Sequence, residues 1–321
     1  MVLLFKPNVS KLIKIIGKKT ILVIDEAQRI MDIGLVIKMI VDQIHTVQVI
    51  ATGSSAFELA NKTNEPLTGR KYEVYLYPFS FQEMANHYGH LEEKRNLEQR
   101  LIYGSYPEIV TNAHDAEEHI KLIANSYLYK DLFILDKVSK PALLEKIVKA
   151  LALQIGSEVN YNELSQLVKA DNKTIEKYVD LLEKTFVIFK LEAYSGNIRN
   201  EIKKKKKIYF YDNGILNAVT GNFMPLHQRT DKGALWENFV ISERMRLLNI
   251  NRSESKSYFW RSAQQQEIDY IEIDRKKSIA CEIKWSPKAK AKIPLTYLNA
   301  YHPTQTLLVS TENYDDFMGD E

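Results

Sequence analysis

Two places in the 321-residue chain set acidic side chains where they could do chemistry. The first is Asp25-Glu26, which directly follows Ile21-Leu22-Val23-Ile24. A short apolar run rich in β-branched residues has the character of a buried parallel strand. Two carboxylates at its carboxyl end would stand on the sheet edge where open α/β folds bind ligands. There the first acid can hold Mg²⁺ on a nucleotide, and the second can orient an attacking water. The plainer alternative is a strand that ends in two solvated acids. The second place is Asp269, Glu282 and Lys284, with Glu237 upstream. Alternation along a strand puts Glu282 and Lys284 on one face. Acids from two paired strands can bind Mg²⁺ through oxygen. A lysine beside them can stabilise developing negative charge or activate water. Here the plainer alternative is a sheet edge carrying a paired Glu and Lys.

The elements that must position these groups follow from periodicity. Strands are expected at Thr20–Ile24 and Val47–Thr52 with a helix over Leu35–Ile44 between them, the order of a βαβ unit. Helices are expected over Leu91–Tyr103 and Ala116–Asp131. Pro141–Gln154, Tyr161–Lys169 and a helix capped by Asp171 and running to Lys184 give three more. Strands at Val187–Ala193 and Ile208–Asp212 flank a polar stretch with a Lys203–Lys207 run. Three helices followed by a two-stranded ribbon outline a winged helix. The remainder reads as a helix over Ala234–Leu248 and strands at Ser257–Arg261, Glu267–Ile273, Ser278–Trp285 and Thr306–Ser310.

Several blocks then fall in a specific order. They are Ile24-Asp25-Glu26-Ala27-Gln28, Thr52-Gly53-Ser54-Ser55, Leu67-Thr68-Gly69-Arg70 and Leu76-Tyr77-Pro78-Phe79-Ser80-Phe81. Tyr103-Gly104-Ser105-Tyr106-Pro107-Glu108, the stretch from Lys207 to Gly214, Gly233-Ala234-Leu235-Trp236-Glu237-Asn238 and Tyr258-Phe259-Trp260-Arg261 follow. Together they resemble a prokaryotic AAA+-type ATPase family whose members carry a conserved C-terminal domain of unknown function. The resemblance covers nearly the whole chain. It implies that Asp25-Glu26 is a Walker B pair, with Asp25 on Mg²⁺ and Glu26 orienting water for ATP hydrolysis. It also implies that Ser54 or Ser55 senses the γ-phosphate. Arg70 either reaches a phosphate in a neighbouring subunit or is a surface arginine. No G-x-x-x-x-G-K-[ST] motif occurs in the sequence. In such a family a P-loop strand, loop and helix would precede the first residue, so a truncated form is expected that does not hydrolyse ATP alone.

The third helix of the winged-helix candidate carries Lys173, Thr174 and Lys177 on its polar face. Those positions would meet a DNA groove, with Lys203, Lys204 and Lys205 of the wing on phosphates. The lysine run read plainly is a solvated turn, and winged helices also contact proteins. The Asp269, Glu282 and Lys284 pattern, with Asp274-Arg275-Lys276-Lys277 as the hairpin turn, resembles the PD-(D/E)xK nuclease superfamily. That resemblance implies a metal site of Glu237, Asp269 and Glu282 with Lys284 as the catalytic lysine.

The expected fold class is α/β multidomain. It comprises a partial AAA+ P-loop-type parallel sheet over 1–88, a helical lid or linker over 89–138, a winged helix over 139–220, and a restriction-endonuclease-like α/β domain over 221–321. Duplex DNA, a partner protein or a second copy of the chain are the expected partners. Composition agrees with a folded protein: 45% hydrophobic, 26% charged, and a net charge of +3 from 44 basic and 41 acidic residues. Cys281 is the single cysteine, so no intrachain disulfide forms, and a reducing, cytoplasmic setting fits. No apolar run approaches the ~20 residues that span a bilayer.

Overall fold

The apolar run at Ile21–Ile24 forms strand β1, and Gln48–Ala51 forms β2 beside it in parallel register, Ile21 opposite Gln48 and Ile24 opposite Ala51. The computed structural model describes residues 9–53, 67, 69–126, 140–195, 206–275 and 277–319. It divides into two units, the first built mainly from residues up to Val74 and the second from Tyr75 onward. In the first unit, helix α1 (Val9–Ile16) precedes β1, and helix α2 (Ile33–Gln43) makes the crossover to β2. Leu12 and Ile16 of α1 and Ile33, Val36, Ile37 and Ile40 of α2 pack with Ile24 and Val47. Ile21, Val23 and Ile50 remain 56%, 60% and 44% exposed, although strands of a parallel sheet are usually covered on both faces.

The second unit is organised by a seven-stranded sheet and the helices around it. Helices α3 (Phe81–Tyr88), α4 (His90–Arg95), α5 (Leu97–Tyr103), α6 (Pro107–Thr111) and α7 (Ala116–Asn125) come first. The helix expected over Leu91–Tyr103 is two helices. Asn96 ends α4, and Glu93 and Arg100 form a buried two-pronged ion pair across the break at 2.7 and 2.9 Å. Then follow α8 (Pro141–Leu153), β3 (Glu158–Val159), α9 (Tyr161–Val168), α10 (Asn172–Lys184), β4 (Ile188–Ala193) and β5 (Lys206–Phe210). Asp171 caps α10 as expected, its carboxylate accepting from the Thr174 amide at 2.9 Å and the Thr174 hydroxyl at 2.7 Å. The chain ends with α11 (Asn213–Thr220), α12 (Lys232–Ile250), β6 (Lys256–Arg261), β7 (Glu267–Ile273), β8 (Ser278–Ile283), α13 (Leu295–Tyr301), β9 (Gln305–Val309) and α14 (Tyr314–Met318).

The strand order is β3-β5-β4-β6-β7-β8-β9. All neighbours are antiparallel except β4/β6 and β8/β9. The ribbon β4/β5 and the later strands are thus one sheet, joined where Glu192 meets Tyr258 and Ala193 meets Phe259. One core lies among α7 to α11, around Ile120, Ile147, Leu164, Ile175 and Leu182. A second lies between the sheet and α12, around Trp236, Phe239, Tyr209, Tyr270 and Cys281. No helix among the described residues is long and apolar enough to cross a membrane.

A buried polar network ties these parts together. Asp212 is the N-cap of α11, accepting from the Gly214 amide at 2.8 Å and the Ile215 amide at 3.2 Å. Its other oxygen accepts from the Ser105 amide at 2.8 Å. Arg246 of α12 lies 3.9 Å from that carboxylate, pairs with Glu243, and donates to the carbonyls of Phe79 and Tyr211. Glu243 in turn accepts from the Phe81 amide at 2.8 Å. Asn238 brackets Phe210 by donating to its carbonyl and accepting from its amide, and also donates to Asn213. Asn217 donates to the carbonyls of Leu101 and Ile102.

The chain passes so close to Asp212 that glycine is required at two positions. A Cβ on Gly104 would lie 2.0 Å from Asp212 Oδ1, and φ there is +79°. A Cβ on Gly214 would lie 2.1 Å from the Tyr103 carbonyl oxygen. Gly104→Ala is therefore expected to destabilise the second unit by roughly 3 kcal/mol or more. Gly221→Ala, at φ +71° with open space around it, should lose only about 1 kcal/mol. Urea unfolding followed by tryptophan fluorescence separates the two, and equal losses would show that the Asp212 contact is not what constrains residue 104.

Candidate functional site

The first site sits at the tip of the parallel pair. Thr52 immediately follows β2, and its hydroxyl donates to Asp25 Oδ1 at 2.5 Å. The Glu26 amide points back at Thr52 Oγ1, 3.3 Å away. The Ala27 amide donates to the Thr52 carbonyl at 2.8 Å, and the Thr52 amide to the Ile24 carbonyl at 2.9 Å. Asp25 is thus exposed and held by the end of the neighbouring strand, the carboxyl-edge position its sequence implies. Glu26 adopts φ 50° and ψ 44°. Its carboxylate accepts from Gln28 Nε2 at 3.1 Å and pairs with Arg29 at 3.2 Å. Arg70 is ion-paired with Asp42 of α2 within the same chain. Ser54 and Ser55 lie outside the described residues.

The second site is a cluster of charges on the sheet of the second unit. The register that pairs Tyr270 with Cys281 brings Asp269 across from Glu282 one step further on. Lys284 Nζ lies 2.7 Å from Asp269 Oδ2 and 2.8 Å from Glu282 Oε2. The Ile283 amide donates to the same Asp269 oxygen at 2.8 Å. Glu237 of α12 faces this group but meets different partners. Its Oε1 accepts from Tyr209 OH at 2.6 Å and Lys207 Nζ at 3.1 Å. Lys207 also lies 2.5 Å from Glu267 Oε1 and 5.5 Å from the centre of the Phe259 ring. Arg261 adds longer ion pairs to Glu158 and Glu267, at 3.5 and 3.7 Å.

The electrostatics follow from burial and crowding. Burial raises the Glu237 pKa above the ordinary carboxylate range. Lys207 pulls it back, and Asp269 pushes it further up. Burial and then Asp269 do the same to Glu282. Burial works against the charge of Lys207, but Glu237 and Glu267 together hold its pKa above the usual lysine value. Lys284 is raised in the same way by Asp269 and Glu282. Both ammonium groups therefore stay charged at neutral pH.

Placement of the expected residues is uneven. Asp269, Glu282 and Lys284 come together, and Glu237 stands nearby on the neighbouring helix. Lys207, Tyr209 and Glu267 are cluster members that the sequence reading missed. Lys207 belongs to a run of lysines that reads as a solvated turn, yet it lies within β5 and is 1% exposed. The signal was present in Lys207-Ile208-Tyr209, since strand alternation puts Lys207 on the same face as Tyr209. Among the described residues no three His, Cys, Asp or Glu side chains converge as a metal-binding group. Of the expected Mg²⁺ set, one oxygen each of Glu237, Asp269 and Glu282 is already held by a lysine ammonium group. On α10, Lys173 and Lys177 are exposed, whereas the Thr174 hydroxyl is engaged by Asp171. Lys203, Lys204 and Lys205 lie outside the described residues.

Comparison with known proteins fits this division. Residues 3–85 match the family model of an AAA domain. Residues 94–225 and 232–320 match two domains of unknown function, DUF8612 and DUF4143. The N-terminal part of the chain is therefore similar to an AAA-type ATPase-like domain, and the two regions after it are similar to domains of unknown function. An uncharacterized protein of Haemophilus influenzae is 27% identical over 243 residues, covering 70% of this chain and 58% of its own length. One from Mycobacterium tuberculosis is 26% identical over 264 residues, covering 80% of this chain and 57% of its own. One from Methanocaldococcus jannaschii is 25% identical over 260 residues, covering 71% and 54%. The chain thus spans just over half the length of these relatives. No solved structure matches it.

Cys281 belongs to the core, not to a nucleophilic site. It is fully buried on β8, and burial followed by Glu272 pushes its thiol far above the ordinary value. A thiol reagent at pH 8 should therefore label the native chain only at its unfolding rate, and readily in urea. Fast labelling of the native chain would contradict that placement.

Proposed function

We propose that the first unit supplies the metal and water side of an ATP site, and that the second unit couples that site to duplex DNA. The observation that carries the first part is the Thr52 hydrogen bond to Asp25 at the tip of the β1/β2 pair. It holds a carboxylate at the sheet edge, where Mg²⁺ on a nucleotide phosphate would be met. The match of residues 3–85 to an AAA domain supports the same reading. Mg·ATP would supply the phosphates and the metal, and Asp25 would hold that metal. Glu26 would orient water once its carboxylate leaves Gln28 and Arg29. Ser54 or Ser55 would sense the γ-phosphate, and Arg70 would serve a neighbouring subunit only by leaving Asp42.

The sequence has no phosphate-cradling glycine-rich loop, so this chain alone should bind nucleotide weakly and not turn it over. With Mn²⁺·ATP as a paramagnetic probe, NMR signals of residues 25, 26 and 52 should broaden, and Asp25→Asn should abolish the effect. Turnover of ATP by the chain stays at background. Absence of broadening at those residues would remove Asp25 from a metal role, and Asp25-dependent hydrolysis would overturn the expected inactivity.

For the second unit we read α8, β3, α9, α10 and the β4/β5 ribbon as a winged helix. The support is their order and antiparallel pairing, with Lys173 and Lys177 exposed opposite the buried Ile175, Tyr178, Val179 and Leu182. The sheet from β6 to β9 with α12 is read as a nuclease-like framework, supported by Asp269 facing Glu282 and by Lys284 beyond it. In this reading the lysines of α10 and Lys203, Lys204 and Lys205 meet phosphates. Duplex binding should weaken steeply with salt. Replacing Lys173 and Lys177 by Gln should lower affinity on all sequences and reduce the salt slope by about 2. A slope unchanged by both substitutions would exclude α10, and no duplex binding at all would leave a protein partner as the one coupled.

A further inference from the structure

A divalent cation on a sheet edge needs several oxygen atoms free to converge on one point. Here one oxygen of each of four carboxylates is held by an ammonium group, two carboxylates to each lysine. Lys207 Nζ bridges Glu237 Oε1 and Glu267 Oε1, with Tyr209 OH on the same Glu237 oxygen and the Phe259 ring against its other side. Lys284 Nζ bridges Asp269 Oδ2 and Glu282 Oε2. The two lysines are not equivalent. The Lys284 side chain is 37% exposed and can swing out into water, whereas Lys207 is 1% exposed and fixed on β5, between β3 and β4. An ammonium so deeply desolvated is tolerated only because acids flank it, and those acids are tolerated only because it is there.

We propose that Lys207 is the resident cation of the Glu237–Glu267 side of this cluster, filling the place between those two carboxylates that a divalent metal could otherwise take. The carboxylates of Glu237 and Glu267 are neutralised from within the chain. The second unit thus keeps a nuclease-like set of side chains with its Glu237–Glu267 part in a metal-independent form. The position of Lys207 accounts for this better than loss of an acid would, since Glu237, Asp269, Glu282 and Lys284 are all present.

The test uses the full chain without nucleotide, and Mn²⁺ or Mg²⁺ alone as the probe. The wild-type unfolding midpoint should be the same in EDTA and in either metal, and calorimetric titration with Mn²⁺ should show no heat of binding. Lys207→Met keeps the length of the side chain and removes its charge. In EDTA it should lower the midpoint by about 10 °C. Mn²⁺ should restore several of those degrees by entering the vacated place, and Glu237→Gln in the same background should abolish the rescue. A wild-type chain that binds Mn²⁺ and loses that binding in Glu237→Gln would overturn the proposal. So would a folded Lys207→Met chain that gains nothing from either metal. Should Lys207→Met not fold, the wild-type titration still decides between a lysine-filled and a metal-filled cluster.

Discussion

Asp212 is a carboxylate with no access to water, and much of the second unit is arranged to satisfy it. Three backbone amides and the Arg246 guanidinium surround it. Burial pushes its pKa up, while Arg246 first, and then those amides, oppose the shift. Such a group is stable only when every partner is in place. The partners come from the turn after α5, the start of α11 and the last third of α12, and Arg246 in turn donates to the Phe79 carbonyl. This one requirement therefore fixes the relative positions of segments far apart in sequence. It also explains why α12 arrives with Glu237 facing β5. Arg246 and Asn238 lock that helix onto Tyr211 and Phe210, and Glu237 immediately precedes Asn238.

The sequence made the local elements legible wherever burial is one-sided. The helices of 141–184, the Asp171 cap and the strands from 256 to 309 are within a few residues of expectation, because each has a clean apolar stripe or alternation. Short helices held by caps and contacts were missed. Phe81–Tyr88 begins with Ser80 and Glu83 in a reciprocal capping box, a readable signal that was read as part of a motif block instead. Asn213–Thr220 has a polar residue at 213 and another at 217, which look exposed until Asn213 and Asn217 are seen donating to buried carbonyls. Local periodicity carries no information about such long-range partners.

The candidate sites divide along the same line. Asp25 was legible because a strand followed at once by an acid fixes its own geometry. Asp269, Glu282 and Lys284 were legible because adjacent antiparallel strands bring their ends together. Their surroundings are not legible, since Lys207 comes from a strand three places from β7 in the sheet and nears them only in three dimensions. A run of like charges looks solvated when its members are counted together. Once β5 begins inside the run, its residues part company, Lys206 partly exposed and Lys207 enclosed.

The short parallel seam between β4 and β6 bears on how the gene can be divided. Glu192 and Ala193 meet Tyr258 and Phe259 there, and the Tyr194 amide donates to the Phe259 carbonyl at 2.6 Å. The matched regions 94–225 and 232–320 thus share a single hydrogen-bonded surface. A piece starting at residue 232 would carry β6 as a bare margin of unfilled donors and acceptors, and the piece before it would carry β4 in the same condition. Expressed apart, each half would present an open strand edge to any neighbouring chain.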